Sequence, residues 1–486
     1  MPQGFFLRIK GDVWIKVPSP AQFLTTYVLL EQEDWFEKEI RFVRRMLKPG
    51  MHVVDVGANF GVYSLAAAKL VGSNGRVSSY EPLHATGDFL KASALKNQFS
   101  NLNVVTAALS DHAGFARFYT YPNTEMNSLT RVEASDGAVV QDVPLSTLDN
   151  EYARLDWSTV DFLKIDAEGE EQKILRGGLR LLDQCSPLIM FEVKGRDSAG
   201  ATRGVTEVLR GLGYVIFRLI GPDTMLAPVP DADLDKVDEL NLFACKSDRA
   251  TKLAADSLLA FGRGGRSEGV SGAGLTLFNR QLYARGFGTM NVRDKAYEQA
   301  LDAYARWRDV GVSIEERYAS LTAAVAALRE AAGRSPTLPR LSSLARSALE
   351  AGDKIVAVDA INACIRRLVD EAPPPPDEPF FPPEPRYDAI EQFGNPRAWL
   401  LAATVEAAER VGAYSRYFQT PTAKLLQLHE WLLSTPFATP EMERRRQLLR
   451  IRTGQQVRAA PVALLATVSD DNLNAELWAN DMVSWD

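Results

Sequence analysis

The first half of the chain reads as an α/β, Rossmann-like doubly wound sheet and the second half as an all-α C-terminal domain. Three features carry that reading. From Met51 to Cys245, short apolar runs alternate with stretches in helical spacing, the pattern of strands joined by crossover helices. The run Val53-Val54-Asp55-Val56 enters Gly57-Ala58-Asn59-Phe60-Gly61 and then a helical pattern, a strand–turn–helix unit whose turn lies at the carboxyl edge of a sheet. Beyond residue 275, strand patterns stop, and Ala, Leu and Arg recur at helical spacing.

Taken in order, residues 1–34 are a lead-in. Strands are expected at Met51–Val56, Arg76–Tyr80, Val104–Ala107, Phe162–Asp166, Leu188–Val193, Tyr214–Arg218 and Leu242–Cys245, and helices at Gly61–Val71, Ala85–Asn97, Glu170–Leu182 and Thr202–Leu212. Gly114–Leu148 carries two strand-like pieces, FARFYTY and AVVQDVPL, around a polar loop at Asn123–Ser128, and is expected to form a small β excursion near a ligand cleft. The sheet domain spans 35–247. A linker at 248–275 follows, because Thr251–Phe261 is helical in pattern and Gly262–Gly274 is rich in Gly and Ser.

In the region 276–486, Leu341, Leu344, Ala345, Ala348 and Leu349 form one stripe and Ile355, Val358, Ile361, Ile365 and Leu368 a second, about a Gly352-Asp353 turn: an αα-hairpin. Further helices are expected at Ala398–Val411, Ala423–Leu433 and Glu441–Arg452. The proline-rich stretch 371–387 is read as an extended spacer, since proline lacks the amide donor and fixes φ.

Composition narrows the function. With 46% hydrophobic and 24% charged residues, no apolar run near membrane-span length and a net charge of −7, the chain reads as soluble and globular, with no basic footprint for nucleic acid. Lys10, Asp12 and Lys16 interrupt the N-terminal apolar residues, so no secretory signal is read and a cytoplasmic location is expected. Cys185, Cys245 and Cys364 are far apart, which indicates neither a disulfide framework nor a zinc site.

The Gly57-x-x-x-Gly61 spacing differs from the dinucleotide fingerprint, and Asp55 places a carboxylate where a pyrophosphate would otherwise sit. A ligand with a cationic amino-acid end is favoured instead. Glu81 follows Asp55 by 26 residues and closes the second strand, where a carboxylate accepts hydrogen bonds from both hydroxyls of a ribose. Gly57 and Gly61 alone read equally well as an ordinary strand-to-helix turn. With the two acids they indicate an adenosyl ligand without phosphate, of which S-adenosylmethionine (SAM) is the type.

The segments YVLLEQEDWFEKEIRFVRRMLKPGMHVVDVGANFGVYSLAAAK, NVVTAALSDHAGFARFY, MNSL, VPLSTLD and VDFLKIDAEGEEQKILRGG, followed by LIMFEV, occur in an order and spacing that resembles the FkbM-type methyltransferases over residues 27 to 247. The resemblance implies the class I SAM methyltransferase fold, SAM as donor, and methyl transfer, usually to a hydroxyl oxygen of a polyketide or sugar. The cofactor-binding set is then Asp55, Gly57, Ala58, Asn59, Gly61, Glu81, Ala108 and Asp166.

Asp166 and Glu168, in Lys164-Ile165-Asp166-Ala167-Glu168-Gly169, end the fourth strand and face the same cleft. A hydroxyl is a poor nucleophile until a base takes its proton, so Asp166 is the first candidate base, with Glu168, Glu192 and His84 behind it. Glu168 reads equally as a helix N-terminal acid, Glu192 as a partner of Lys194, and Lys164 as a cleft-lining or solvated strand residue. Three such acids also suit Mg²⁺, but the spacing does not fix a geometry and no metal is assigned. Asn123, Asn127 and Ser128 offer groups suited to a polar substrate, or form a plain turn. Trp35 and Phe36, in the lead segment Glu33-Asp34-Trp35-Phe36-Glu37, either cap the cleft or pack on the sheet. His112 is a loop residue, His429 a packed helix residue, and Glu443–Arg452 a solvated helix face unless it meets an anionic partner.

The sequence therefore predicts a SAM-dependent O-methyltransferase acting on a small-molecule or glycan hydroxyl, with C-terminal helices that present the acceptor or bind a protein partner. An acceptor at nitrogen is disfavoured because KIDAEG stands where an aromatic N-P-P-Y-type motif would. The rival reading is a degenerate binder within a helical interaction scaffold.

Overall fold

The computed structural model describes residues 4–19, 21–120, 139–193, 199–221, 225–236, 239–261, 271–371, 376–411 and 423–454. The chain opens with a hairpin, β1 (Gly4–Ile9) and β2 (Val13–Pro18), turned at Gly11 and Asp12, both at positive φ. Its inward residues Phe5, Leu7, Ile9, Val13, Ile15 and Val17 alternate and pack on α1 (Leu24–Gln32) and neighbouring elements. The lead-in is thus structured. After α2 (Glu39–Met46) come β3 (His52–Val56), α3 (Val62–Val71), β4 (Arg76–Tyr80), α4 (His84–Lys96) and β5 (Leu102–Val105). The excursion follows as β6 (Ala108–Leu109), β7 (Gly114–Thr120) and β8 (Val139–Ser146), a separate three-stranded sheet. Next are α5 (Leu148–Arg154), β9 (Phe162–Ile165), α6 (Glu171–Arg176), α7 (Leu179–Cys185), β10 (Leu188–Glu192), α8 (Ala199–Gly211), β11 (Val215–Ile220), β12 (Met225–Pro228), β13 (Asn241–Cys245) and α9 (Ser247–Ala255).

The main sheet has the order β12-β11-β13-β10-β9-β3-β4-β5. Strands β5, β4, β3, β9 and β10 are parallel, whereas β13 is inserted antiparallel to both β10 and β11, so the sheet is mixed where the sequence pattern suggests an all-parallel one. Alternating strand residues feed two cores. Val53, Phe162 and Met190 face α2, α3 and α9, and Val54, Leu163 and Phe191 face α6, α7 and α8. The chain leaves β3 toward β4 and β5 and returns to β9 on the other side. The topological switch point therefore lies between β3 and β9, where open α/β sheets bind ligands.

Two helical expectations change. The helix read at Glu170–Leu182 breaks at Gly177-Gly178, two glycines packed so closely that a Cβ at Gly177 would stand 2.1 Å from the Ser110 carbonyl oxygen and one at Gly178 would meet Leu148. Of the stretch read as a linker, the part up to residue 261 packs on the sheet domain: Ala250, Leu253, Leu258 and Leu259 are buried in its core, and Leu259 bridges to β12.

The second half holds α10 (Ala273–Asn279), α11 (Lys295–Arg308), α12 (Ile314–Arg334), α13 (Leu338–Ala351), α14 (Lys354–Asp370), α15 (Pro396–Val411), α16 (Ala423–Leu433) and α17 (Pro440–Arg452). The expected αα-hairpin is α13–α14, turned at Gly352 in the left-handed region with Asp353 capping α14. The inward face of α14 is Val356, Ala357, Ala360, Ile361, Cys364 and Leu368, and Ile355 and Val358 of the expected stripe are exposed. Of the proline-rich stretch, residues 376–387 are described, and they pack against the helices. Phe380, Phe381 and Tyr387 are buried in the helical core, and the carbonyls of Pro379, Phe380, Phe381 and Pro382 accept from Tyr297, Tyr283, Ser342 and Arg346. An extended segment without ladder partners is held by side chains that satisfy its backbone.

The two halves share structure. Ile220, Met225 and Ala227 of the sheet join the helical core, Lys38 donates to the Leu219 carbonyl (2.7 Å), and Arg218 donates to the Gly352 carbonyl (3.2 Å). At the other end, the arginine run expected to be solvated is buried. Arg445 pairs with Glu31, with Glu409 (3.3 Å) and with Glu441 (2.9 Å), and Arg444 donates to the Glu31 carbonyl (3.0 Å) and pairs with Glu33 (3.3 Å). Its anionic partner is this chain's own α1 and α15. His429 is buried as expected of a packed helix residue, 3.6 Å from Glu409. Among the described residues no helix is long and apolar enough to cross a membrane, and Cys185, Cys245 and Cys364 are free thiols.

Candidate active site

A cleft of about 1050 Å³ opens at the switch point, lined by the β3–α3 turn, the end of β4, β6, the β9–α6 loop, and Thr25 and Trp35 from the lead segment. The turn residues Gly57, Ala58, Asn59 and Gly61 all line it, as do Glu81, Ala108, Asp166 and Glu168. The Gly57 and Ala58 amides both donate to the Tyr80 carbonyl (3.0 Å each), which ties β3 to β4. Gly57 has φ +78°, and a Cβ there would lie 1.8 Å from the Asp166 carbonyl oxygen. Gly61 has φ +93°, and its Cβ would lie 2.1 Å from a Leu90 methyl. Both glycines are thus demanded by protein packing and backbone conformation, before any ligand approaches.

Glu81 stands at the carboxyl end of β4. Its Oε2 accepts from the Asn59 amide (3.0 Å) and its Oε1 from the Leu83 amide (3.0 Å), which aims the carboxylate into the cleft. Burial pushes its pKa up to about 7, against the pull of those two amides. A diol that donates to this carboxylate favours the ionised form. Adenosyl-ligand affinity is therefore expected to rise with pH until about 7 and, below that, to fall by about tenfold per pH unit as the proton competes. Titration calorimetry across this range checks it, and Glu81→Gln should flatten the dependence.

Asp55 stands one layer below the cleft rather than in its wall. It is 1% exposed, accepts from Ser64 Oγ (2.5 Å), and has Lys164 Nζ 3.7 Å away. Lys164, also buried, bridges to Asp166 (3.0 Å) and stacks over the Tyr63 ring. Burial works against its charge, yet Asp166 and Asp55 raise its pKa above the ordinary value. The carboxylate that faces a ligand here is Asp166, with about a third of its side chain exposed (34%).

The β9–α6 loop turns sharply through Glu168 (φ +49°) and Gly169 (φ +102°). Glu171 Oε1 accepts from the amides of Ala167 (3.1 Å) and Gly169 (3.0 Å), so Glu171 is an acid that serves the helix start. Glu168 is left beside Asp166 and Glu192, and oxygens of the three carboxylates lie within 4.8 Å of one another.

Two further residues belong to the site. Glu37 accepts from the Tyr63 hydroxyl (2.6 Å), and burial, with Glu39 and Asp166 nearby, pushes its pKa up to about 7. Tyr63 itself lines the cleft. The signal in the sequence is slight: an acid in the lead segment and a tyrosine in the first turn after Gly61. His84 and His112 are not brought in. His84 is exposed at the start of α4, and His112 is exposed and pairs with Asp111 (2.7 Å). Asn123, Asn127, Ser128 and Lys194 lie outside the described residues.

Residues 55–216 match the family described as the Methyltransferase FkbM domain, and no family match falls in the C-terminal region. No curated protein matches the chain. Similar solved structures include the methyltransferase FkbM from Methylobacillus flagellatus (15% identity, TM-score 0.26, covering 40% of this chain and 43% of that one). Others are a SAM-dependent O-methyltransferase from Thermotoga maritima (14%, TM-score 0.26, 50% and 77%) and Aeropyrum pernix fibrillarin with natively bound S-adenosyl-L-methionine (14%, TM-score 0.27, 50% and 82%). Most of the lining of the cleft at the switch point thus falls within the residues that match the Methyltransferase FkbM domain, a match that supports a methyltransferase over that region.

Proposed function

We propose that the chain is an O-methyltransferase that transfers the SAM methyl group to a hydroxyl of a sugar or glycan in the cytoplasm. The observation that carries this reading is the meeting of Asp166, Glu168 and Glu192 at the carboxyl edge of β9 and β10, beside the cleft. SAM supplies an electrophilic methyl on a sulfonium. The acceptor oxygen forms the new C–O bond, the C–S bond breaks with its electron pair passing to sulfur, and the hydroxyl proton goes to a carboxylate. Asp166 is the proton acceptor in this account, oriented by its 3.0 Å contact with Lys164, and Glu168 and Glu192 hold the acceptor hydroxyls. Glu81 binds the ribose, and the Gly57–Gly61 turn forms the surface beneath the amino-acid end.

The test is an acceptor panel of mono- and oligosaccharides with labelled SAM, read by a mass gain of one methyl and by the position methylated. Methylation of an amine in place of a hydroxyl would overturn the O-acceptor reading. In this reading the three acids act as bases and hydrogen-bond acceptors, so activity is expected to persist in EDTA. Loss of activity restored by Mg²⁺ would instead make them ligands of a hard cation.

A further inference from the structure

A second cavity, of about 730 Å³, opens where the helical half meets the sheet domain, between Phe36 and Glu37 on one side and Leu349 and Lys354 on the other, with Glu239 and Leu240 at the sheet edge. It shares a wall with the cleft. Trp35 lines the cleft and the next residue, Phe36, lines this cavity. Glu37, in its wall, is bonded to Tyr63 of the cleft. Leu240 accepts through its carbonyl from the Val193 amide (2.8 Å), one residue beyond Glu192 of the three carboxylates.

Most charges around it are already matched, and the buried Glu39 carboxylate in its wall stands near Lys38 and Lys354. Lys38 donates to the Leu219 carbonyl, Glu239 pairs with Arg218 (2.5 Å), and Arg410 is shared by Glu384, Glu406 and Glu441. Lys354, in the first turn of α14, is half-buried, and its ammonium makes no hydrogen bond or ion pair among the described residues. Around it stand an aromatic face at Phe36, two leucines, and the Glu37 carboxyl, whose pKa near 7 lets it donate or accept. A concave site with an apolar face, a few polar groups and a cation that no described carboxylate approaches within 4 Å suits a hydroxylated ring bearing a single acidic group.

We propose that this interdomain cavity is the acceptor site, and that its ligand is a sugar carrying one anionic group, a carboxylate or a phosphate, bound by Lys354 with the ring against Phe36. The inference rests on the methyltransferase reading of the neighbouring cleft and gives the helical half a role, because α13 and α14 complete the acceptor site. The test uses the full chain loaded with S-adenosylhomocysteine and titrated with glucuronate, glucose 1-phosphate and glucose. One of the two anionic sugars should bind and glucose should not, and which one binds distinguishes carboxylate from phosphate. Lys354→Met, which removes the cation, and Leu349→Trp, which fills the cavity, should each weaken that binding by about tenfold or more. Both should retain the parent's affinity for S-adenosylhomocysteine. Anionic-sugar binding unchanged in both variants, or absent from the loaded parent chain, would overturn the proposal. Failure of the parent to bind S-adenosylhomocysteine would overturn the reading beneath it as well.

Discussion

Asp166→Asn is expected to lower turnover by about 10²- to 10⁴-fold, the usual contribution of a positioned base, while leaving SAM bound. The amide keeps an oxygen for Lys164, which lies 3.0 Å from the native carboxylate, and Asp55 remains 3.7 Å from the same ammonium. The local network thus keeps Asp55 as the counter-charge of Lys164 while the proton-accepting group is removed. Single-turnover assays with saturating SAM separate the two effects. Full activity in the variant would transfer the role to Glu168 or Glu192.

The second large effect concerns stability. Arg445 is 1% exposed and faces Glu31 and Glu409, neither of them exposed, across the junction of α17 with the sheet domain. Replacing it by methionine leaves buried carboxylates without their cation, and removal of one partner from such a group costs about 3–5 kcal/mol. Denaturant titration of Arg445→Met should show a loss of this size. Arg445→Met combined with Glu31→Gln should lose less than the sum of the two single changes, since the pair is coupled. A loss under about 1 kcal/mol would mean that the arginine is carried by packing alone. Glu31 lies in the last turn of α1, on which Thr25 lines the cleft, so the same contact ties α17 to the cleft.

Much of the sheet domain was legible because buried parallel strands are near-continuous apolar runs, and because Asp55, Gly57, Gly61 and Glu81 sit at ends that the topology dictates. What local sequence hides is pairing at a distance. The arginines of α17 read as solvent-facing because their partners at Glu31 and Glu33 lie more than 400 residues away. The prolines of 376–387 exclude an α-helix, although Pro385–Ala389 forms a 3-10 helix, and composition cannot tell that Phe380 and Phe381 fill a core. The β1–β2 hairpin did leave a signal, an alternation of Phe5, Leu7, Ile9 and Val13, Ile15, Val17 about Gly11-Asp12, which a search for crossover units passes over. At the site, the acids were visible but their layering was not. Only the fold shows that Asp55 lies under Lys164 and that Asp166 takes the exposed place.

The central claim is that the cleft binds an adenosyl ligand through Glu81, and calorimetric titration with SAM and S-adenosylhomocysteine tests it most directly. Micromolar binding of both is predicted, with Glu81→Ala weaker by about 1–3 kcal/mol, the worth of hydrogen bonds to a charged group. No binding by the parent chain, or equal affinity in Glu81→Ala, would contradict it.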